Sequence, residues 1–213
     1  MLAAALEFAG RGWVVCPGAR PRREGGGACS CDRLGCPAPA AHPISPAWQF
    51  QATADEGRVR AWWGDRPDAN VVLPTGRVFD VLDVPAAGGV LALARLDRAG
   101  TPTGPIAAYG TDRYLFFVAT RGAPEDEHEW WSSELDVTSS HTGALRTGAV
   151  HLIEGEPELV EAAPDLRWHC RDSYVVAPPS ELPSGQQVYW VRRPDSRSLP
   201  DPLALLEVLA DSV

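Results

Sequence analysis

The chain has 213 residues, 45% of them hydrophobic, enough to bury the core of one large domain with or without a small appendage. Its formal net charge is −9, from 28 acidic residues against 19 basic ones, all of them arginine. That balance argues against a surface built for tight non-specific nucleic-acid binding, because phosphate contacts supply much of such affinity. Arginines do cluster at Arg20, Arg22, Arg23 and Arg33 and again at Arg192, Arg193 and Arg197, as scattered solvated charges also would.

Leu2, Leu6 and Ala9 share one helical face, and Gly10 and Gly12 end that helix before a short apolar strand at 13–15. The segment 1–10 carries no basic start or cleavage site of a secretory signal, and no apolar run reaches membrane-spanning length. From 17 to 46 the chain is Gly, Pro, Ala, Arg and Cys without hydrophobic period, an insert that no core of its own can order. Thr53 and Asp55 predict a capped helix through Trp62 and Trp63, followed by strands at 70–73 and 78–84 around a turn at Thr75-Gly76. A helix is predicted over 86–99, stopped by Gly100, then strands at 106–109 and 114–119. Residues 125–131 suggest a short helix, and 135–137, 150–153, 173–177 and 188–192 suggest strands, before a terminal helix over 202–209. This alternation predicts an α/β (α+β) fold, a mixed sheet with flanking helices, formed as a single domain over 1–213.

The insert holds Cys29-x-Cys31-x4-Cys36-x5-His42. Three thiolates and an imidazole so closely spaced suit a closed tetrahedral Zn2+ site, which would stand in for the missing core. Cys16 is a spare candidate, and Cys170 reads as a small buried residue beside a strand. Clustered cysteines in an odd total of five suit metal binding in a reducing compartment, so a cytoplasmic location is expected.

Asp80 and Asp83 interrupt an otherwise apolar strand, where an unpaired carboxylate is costly to bury. Two explanations stand side by side. The pair could hold Mg2+ or Mn2+ for phosphoryl transfer, or one aspartate could cap the helix at Pro85-Ala86 while the other meets an arginine. Being three apart, they point to opposite faces of a regular strand, and only a bulge or bend would bring them together.

Five segments in order, Cys29 through His42-Pro43, Val72 through Gly76-Arg77, Phe79 through Pro85, Leu115-Phe116-Phe117 and Tyr174 through Ser180, resemble the bifunctional DNA primase/polymerase N-terminal domain, especially its stand-alone actinobacterial members. The resemblance implies a primase/polymerase core of the archaeo-eukaryotic primase superfamily, whose active members extend primers from nucleoside triphosphates on DNA. It also implies Asp-x-Asp or Asp-x-Glu metal ligands, a phosphate-binding histidine on a later strand and a third acidic residue. At these positions the chain has Asp80 and Asp83, then Tyr114 in place of the histidine, and Asp172 near but not on the third. Arg113 is the candidate to take over phosphate contact beside Tyr114. Glu134 and Asp136 share strand spacing as a substitute pair, although such alternation usually marks a solvent face. His141, His151 and His169 match no ligand spacing and read as surface or strand-end residues, while Trp62, Trp63, Trp130 and Trp131 either stack bases or pack helix onto sheet.

Three readings follow. The first is a primase/polymerase-type domain with reduced or lost nucleotidyl transfer, binding nucleoside triphosphate, single-stranded DNA or a protein partner. The second is a working metal-dependent primase/polymerase using Asp80 and Asp83. The third is a zinc-stabilised interaction module without nucleotide function. The sequence offers no helicase segment, so a helicase partner would be a separate chain.

Overall fold

A computed structural model of the protein describes residues 1–22, 29–31, 33, 35–120, 143–144, 166–183 and 185–213. The predicted elements at 125–131, 135–137 and 150–153 lie outside them, as do Glu134, Asp136, His141, His151, Trp130 and Trp131. The described chain is mixed α/β, with five helices and two antiparallel sheets. The smaller sheet has the order β1 (Cys16–Gly18), β2 (Asn70–Pro74), β8 (Tyr174–Ala177). The larger runs β6 (Gly143–Ala144), β7 (Arg167–His169), β3 (Phe79–Pro85), β5 (Arg113–Ala119), β4 (Ile106–Tyr109), β9 (Val188–Arg192).

β3 is central because its side chains serve two cores. Phe79 and Val81 join Leu115 and Phe117 on one face, packed with α1 (Leu2–Gly10), α3 (Glu56–Asp65) and the smaller sheet. Leu82 and Val84 join Phe116 and Val118 on the other, against α4 (Ala86–Ala99) and α5 (Pro202–Ala210). A strand buried on both faces loses the polar alternation of a surface strand, which is why the run from 78 to 84 reads as apolar throughout.

Helix ends follow the local chemistry. The Asp55 carboxylate accepts from Arg58 N at 2.8 Å and starts α3, the Asp201 carboxylate accepts from Leu203 N at 3.0 Å and starts α5, and Gly100, at φ 69°, closes α4. No side chain caps α4, so the idea that an aspartate of β3 does so does not hold; Ala86 N donates instead to Asp112 O at 2.8 Å.

Two local expectations change. The strand expected at 13–15 begins only at Cys16, because Gly12 turns the chain at φ 78° and Trp13 then enters the core, stacked on Phe117 at 5.5 Å between ring centroids. The short helix α2 (Trp48–Gln51) also forms, seating Trp48 edge-on to Tyr174 at 5.2 Å. Its four residues are too few to carry a helical period in the sequence. Among the described residues, no helix is long and apolar enough to cross a membrane.

Candidate functional site

The insert is tied to the smaller sheet at its root. Gly18 bridges Pro43, Ala19 N donates to His42 O at 2.8 Å, and Ile44 N donates to Pro17 O at 3.0 Å. Asn70, fully buried at the start of β2, donates through Nδ2 to Ala40 O at 3.0 Å and to Glu181 O at 2.8 Å, while its Oδ1 accepts from Glu181 N at 3.0 Å. These bonds bring Cys29, Cys31, Cys36 and His42 together with all four ligand atoms within 4.8 Å of one another.

The donor geometry fits a metal ion. His42 Nε2 lies 3.4 Å from Cys29 Sγ and 3.5 Å from Cys36 Sγ. Zinc bonds of about 2.3 Å to sulfur and about 2.1 Å to nitrogen, at tetrahedral angles, set those atoms about 3.6 Å apart. His42 Nδ1 donates to Pro43 O at 2.8 Å, which leaves Nε2 as the ligand atom, and Ala40 N donates to Cys29 Sγ at 3.3 Å. The Arg33 backbone holds the Cys31 thiol down to about 6, while burial pushes Cys36 up to about 11. The four residues could hold a metal ion such as zinc. Cys16 stands apart in β1, its thiol pushed up to about 12 by burial. Cys170 is exposed, against expectation, because it sits where β7 gives way to a turn.

The second cluster forms around Asp83. Arg113 Nε donates to Asp83 Oδ1 at 2.5 Å and Arg113 Nη2 to Asp83 O at 3.0 Å. His169 Nε2 lies 3.3 Å from Asp83 Oδ2, and its Nδ1 lies 3.1 Å from Ser173 Oγ. Arg167 is the direct cross-strand partner of Asp83, so both side chains share one face of the sheet. Burial, and then the charge of Arg113, pulls the Arg167 guanidinium below its usual range. Tyr109, opposite Arg113 in the β4–β5 register, is pushed up to about 12 by burial and by the charges of Asp83 and Asp112.

Asp80 lies on the opposite face. Its Oδ2 accepts from Trp168 Nε1 at 3.1 Å, and its Oδ1 is buried without a well-formed hydrogen bond. Burial raises this carboxyl to about 6, opposed by the Trp168 indole, the Thr120 side chain and the Gly76 backbone. β3 pairs residue for residue with β5 from Phe79 to Pro85 without a bulge, so nothing bends the two aspartates toward each other.

Residues 5–206 match the family model described as bifunctional DNA primase/polymerase, N-terminal. The chain belongs to that family. Among curated proteins, none matches it.

Within this primase/polymerase-type domain, one of the segments carrying the resemblance, Phe79 through Pro85, forms the central strand β3. Asp80 and Asp83 sit on the central strand of the larger sheet, but on opposite faces. Arg113 joins Asp83, whereas Tyr114 faces the other way and packs on α4, so closely that a Cβ at Gly89 would come within 2.7 Å of it. Asp172 is exposed and accepts from Gln49 Nε2 at 3.3 Å, away from both aspartates' hydrogen bonds. His169 ends β7, as one of its two expected placements had it, but is buried against Asp83 rather than at the surface. The sequence signal for His169, Arg167 and Trp168 was present as alternation in Arg167-Trp168-His169, but only the pairing of β7 with β3 assigns the outer two to Asp83 and the middle one to Asp80.

Three arginines of the two clusters form ion pairs. Arg20 meets Asp68 at 3.5 Å, Arg192 meets Asp97 at 2.6 Å, and Arg197 meets Asp195 at 2.6 Å. Trp63 is core, its Nε1 donating to Ala69 O at 2.9 Å, and Trp62 lies 5.2 Å from the Arg58 guanidinium. Both tryptophans therefore pack the helix rather than present open faces to bases.

Proposed function

We propose that this primase/polymerase-type domain has lost efficient template-dependent nucleotidyl transfer and acts by binding, with nucleoside triphosphate as the ligand of its Asp83 face. The observation that carries this reading is the opposition of Asp80 and Asp83 across a regular strand. A two-metal site for in-line displacement needs carboxylates converging on ions about 3.5–4 Å apart. Here one carboxylate is held by Arg113 and His169, and the other lies beneath Trp168. The pair does not fit Mg2+ or Mn2+ as shared ligands, and no catalytic step runs through them. Tyr114, in the place of the phosphate-binding histidine, supports the same reading because it cannot carry a positive charge near neutral pH.

The Cys29, Cys31, Cys36 and His42 set supports a structural Zn2+, since four protein ligands leave no open position for a reacting water. Single-stranded DNA, a separate helicase or another protein remain secondary partners in this reading, disfavoured for DNA by the charge of −9. Primer synthesis and extension on single-stranded DNA with magnesium or manganese tests it, comparing zinc-loaded wild type with Asp80→Ala and Asp83→Ala. The expected result is no incorporation by any of them. Incorporation by wild type that both variants lose would establish the working polymerase instead. A thermal shift with nucleoside triphosphate separates nucleotide binding from a purely zinc-stabilised interaction module, which predicts none.

A further inference from the structure

We propose that Cys31 and Cys36 form an oxidation site, at which a hydroperoxide joins them in a disulfide, expels the zinc and loosens the insert from the smaller sheet. The inference goes beyond the reading above and rests on it in one respect, that Cys29, Cys31, Cys36 and His42 hold zinc.

The four ligand atoms lie within 4.8 Å of one another, so any two of the sulfurs need to close by about 2.8 Å at most to reach the disulfide length of about 2.05 Å. Burial decides which two. Cys29 is 6% exposed and its Sγ accepts from Ala40 N at 3.3 Å, whereas Cys31 and Cys36 are half-buried, with exposed Arg33 and Gly35 between them. Only Ser30 separates Cys29 from Cys31, so that disulfide would close a tight ring. Four residues separate Cys31 from Cys36, and Gly35 among them turns the chain at φ 65°.

A metal-bound cysteine is already a thiolate, the nucleophilic form of the side chain. One of the two thiolates attacks the O–O bond of the hydroperoxide, forming a sulfenic acid and releasing hydroxide or alkoxide. The other attacks that sulfur, forms the S–S bond and releases the second oxygen as hydroxide. The two sulfurs together give up two electrons, the peroxide takes both, and two protons from solvent complete the products. Cys29 and His42 are then the only ligands left to the zinc. His42 is also the link from the metal to the sheet. Its carbonyl accepts from Ala19 N at 2.8 Å, Pro43 bridges Gly18 at the end of β1, and Ile44 N donates to Pro17 O at 3.0 Å. Two residues before it, Ala40 is fully buried at φ 58°, a left-handed conformation disfavoured for a residue with a Cβ, and is held there by Cys29 Sγ and Asn70. Once the metal no longer holds His42, the segment 40–44 relaxes and the β1 edge loses its partners.

Peroxide titration of the fully reduced protein decides the matter, with zinc content measured first. The readouts are a zinc-binding dye, peptide mapping without reduction, and hydrogen exchange. Wild type is expected to release one zinc for each Cys31–Cys36 disulfide, at least tenfold faster than without peroxide. The Ala19 and Ile44 amides should then exchange at least tenfold faster, and dithiothreitol with added zinc should restore both. Retained zinc, a disulfide that includes Cys29, release without any disulfide, or unchanged exchange at Ala19 and Ile44 would each overturn the proposal. Cys36→His keeps four ligands but lacks the partner thiol, and should release zinc at least tenfold more slowly under the same peroxide; equal release would overturn the proposal. Cys170→Ser should behave as wild type, and loss of the disulfide in it would also overturn the proposal, because the exposed Cys170 would then be the thiol that reacts. If Cys36→His does not fold, the wild-type mapping and Cys170→Ser decide. Reduced protein that carries no zinc would sink the structural-zinc reading and this proposal with it, whereas zinc retained under peroxide sinks this proposal alone.

Discussion

Asp80→Asn is expected to stabilise the protein at neutral pH, although it removes an acidic residue from the central strand β3. The residue is 3% exposed, and burial raises its carboxyl from 3.8 to about 6. A folded value above the unfolded one means that the native state binds more protons, so this group's contribution is fully present below pH 4 and is lost as pH rises through about 6. At about 1.4 kcal/mol per unit, the ionised carboxylate costs roughly 3 kcal/mol at pH 8 and about half of that at pH 5. The asparagine oxygen still accepts from Trp168, but its amide also resists burial, so a net gain of about 1–2 kcal/mol is expected at pH 8. For a domain of this size that corresponds to a rise of about 2–8 °C in melting temperature. Denaturant melts at pH 8 and pH 5 provide the assay. A variant less stable than wild type at pH 8, or an advantage that does not shrink on acidification, would refute the reasoning.

Three further outcomes follow from named contacts. Asn70→Ala removes three hydrogen bonds of a fully buried side chain, one buried to Ala40 and two part-buried to Glu181, and should cost about 2–4 kcal/mol by chemical denaturation. Gly76→Ala places a Cβ 2.2 Å from Arg171 Cα at a residue with φ 76°, so it should destabilise by more than about 2 kcal/mol and disturb His169 resonances through the turn after β7. Zinc removal by chelator under reducing conditions should release amide protection in the insert, measured by hydrogen exchange, while α4 and α5 on the far side of the larger sheet stay protected.

The chain's architecture was legible where local chemistry and burial agree. Asp55 and Gly100 announce the ends of helices, and the apolar run into Val84 announces a central strand, because capping and burial act within a few residues. The four metal-ligand candidates were legible for the same reason, since Cys29 to His42 are close in sequence and converge in space. The opposition of Asp80 and Asp83 followed from the two-residue period of a strand. What stayed hidden depends on long-range pairing. His169 does end a strand, but its contact with Asp83 lies 86 positions away in the chain. Arg167 and Trp168 are adjacent, yet serve opposite faces only because β7 docks beside β3. Trp13 was read into a strand because apolar residues next to Gly12 suit either a strand or a core anchor, and only its stack on Phe117 decides.

The most direct test of the central claim, that Asp80 and Asp83 do not share a catalytic metal pair, is electron paramagnetic resonance of Mn2+ added to the zinc-loaded protein with and without nucleoside triphosphate. The account predicts no coupled Mn2+ pair and a spectrum that Asp80→Ala and Asp83→Ala leave unchanged. A spin-coupled pair lost in both variants would contradict it, and would mean that the two carboxylates converge when substrate binds.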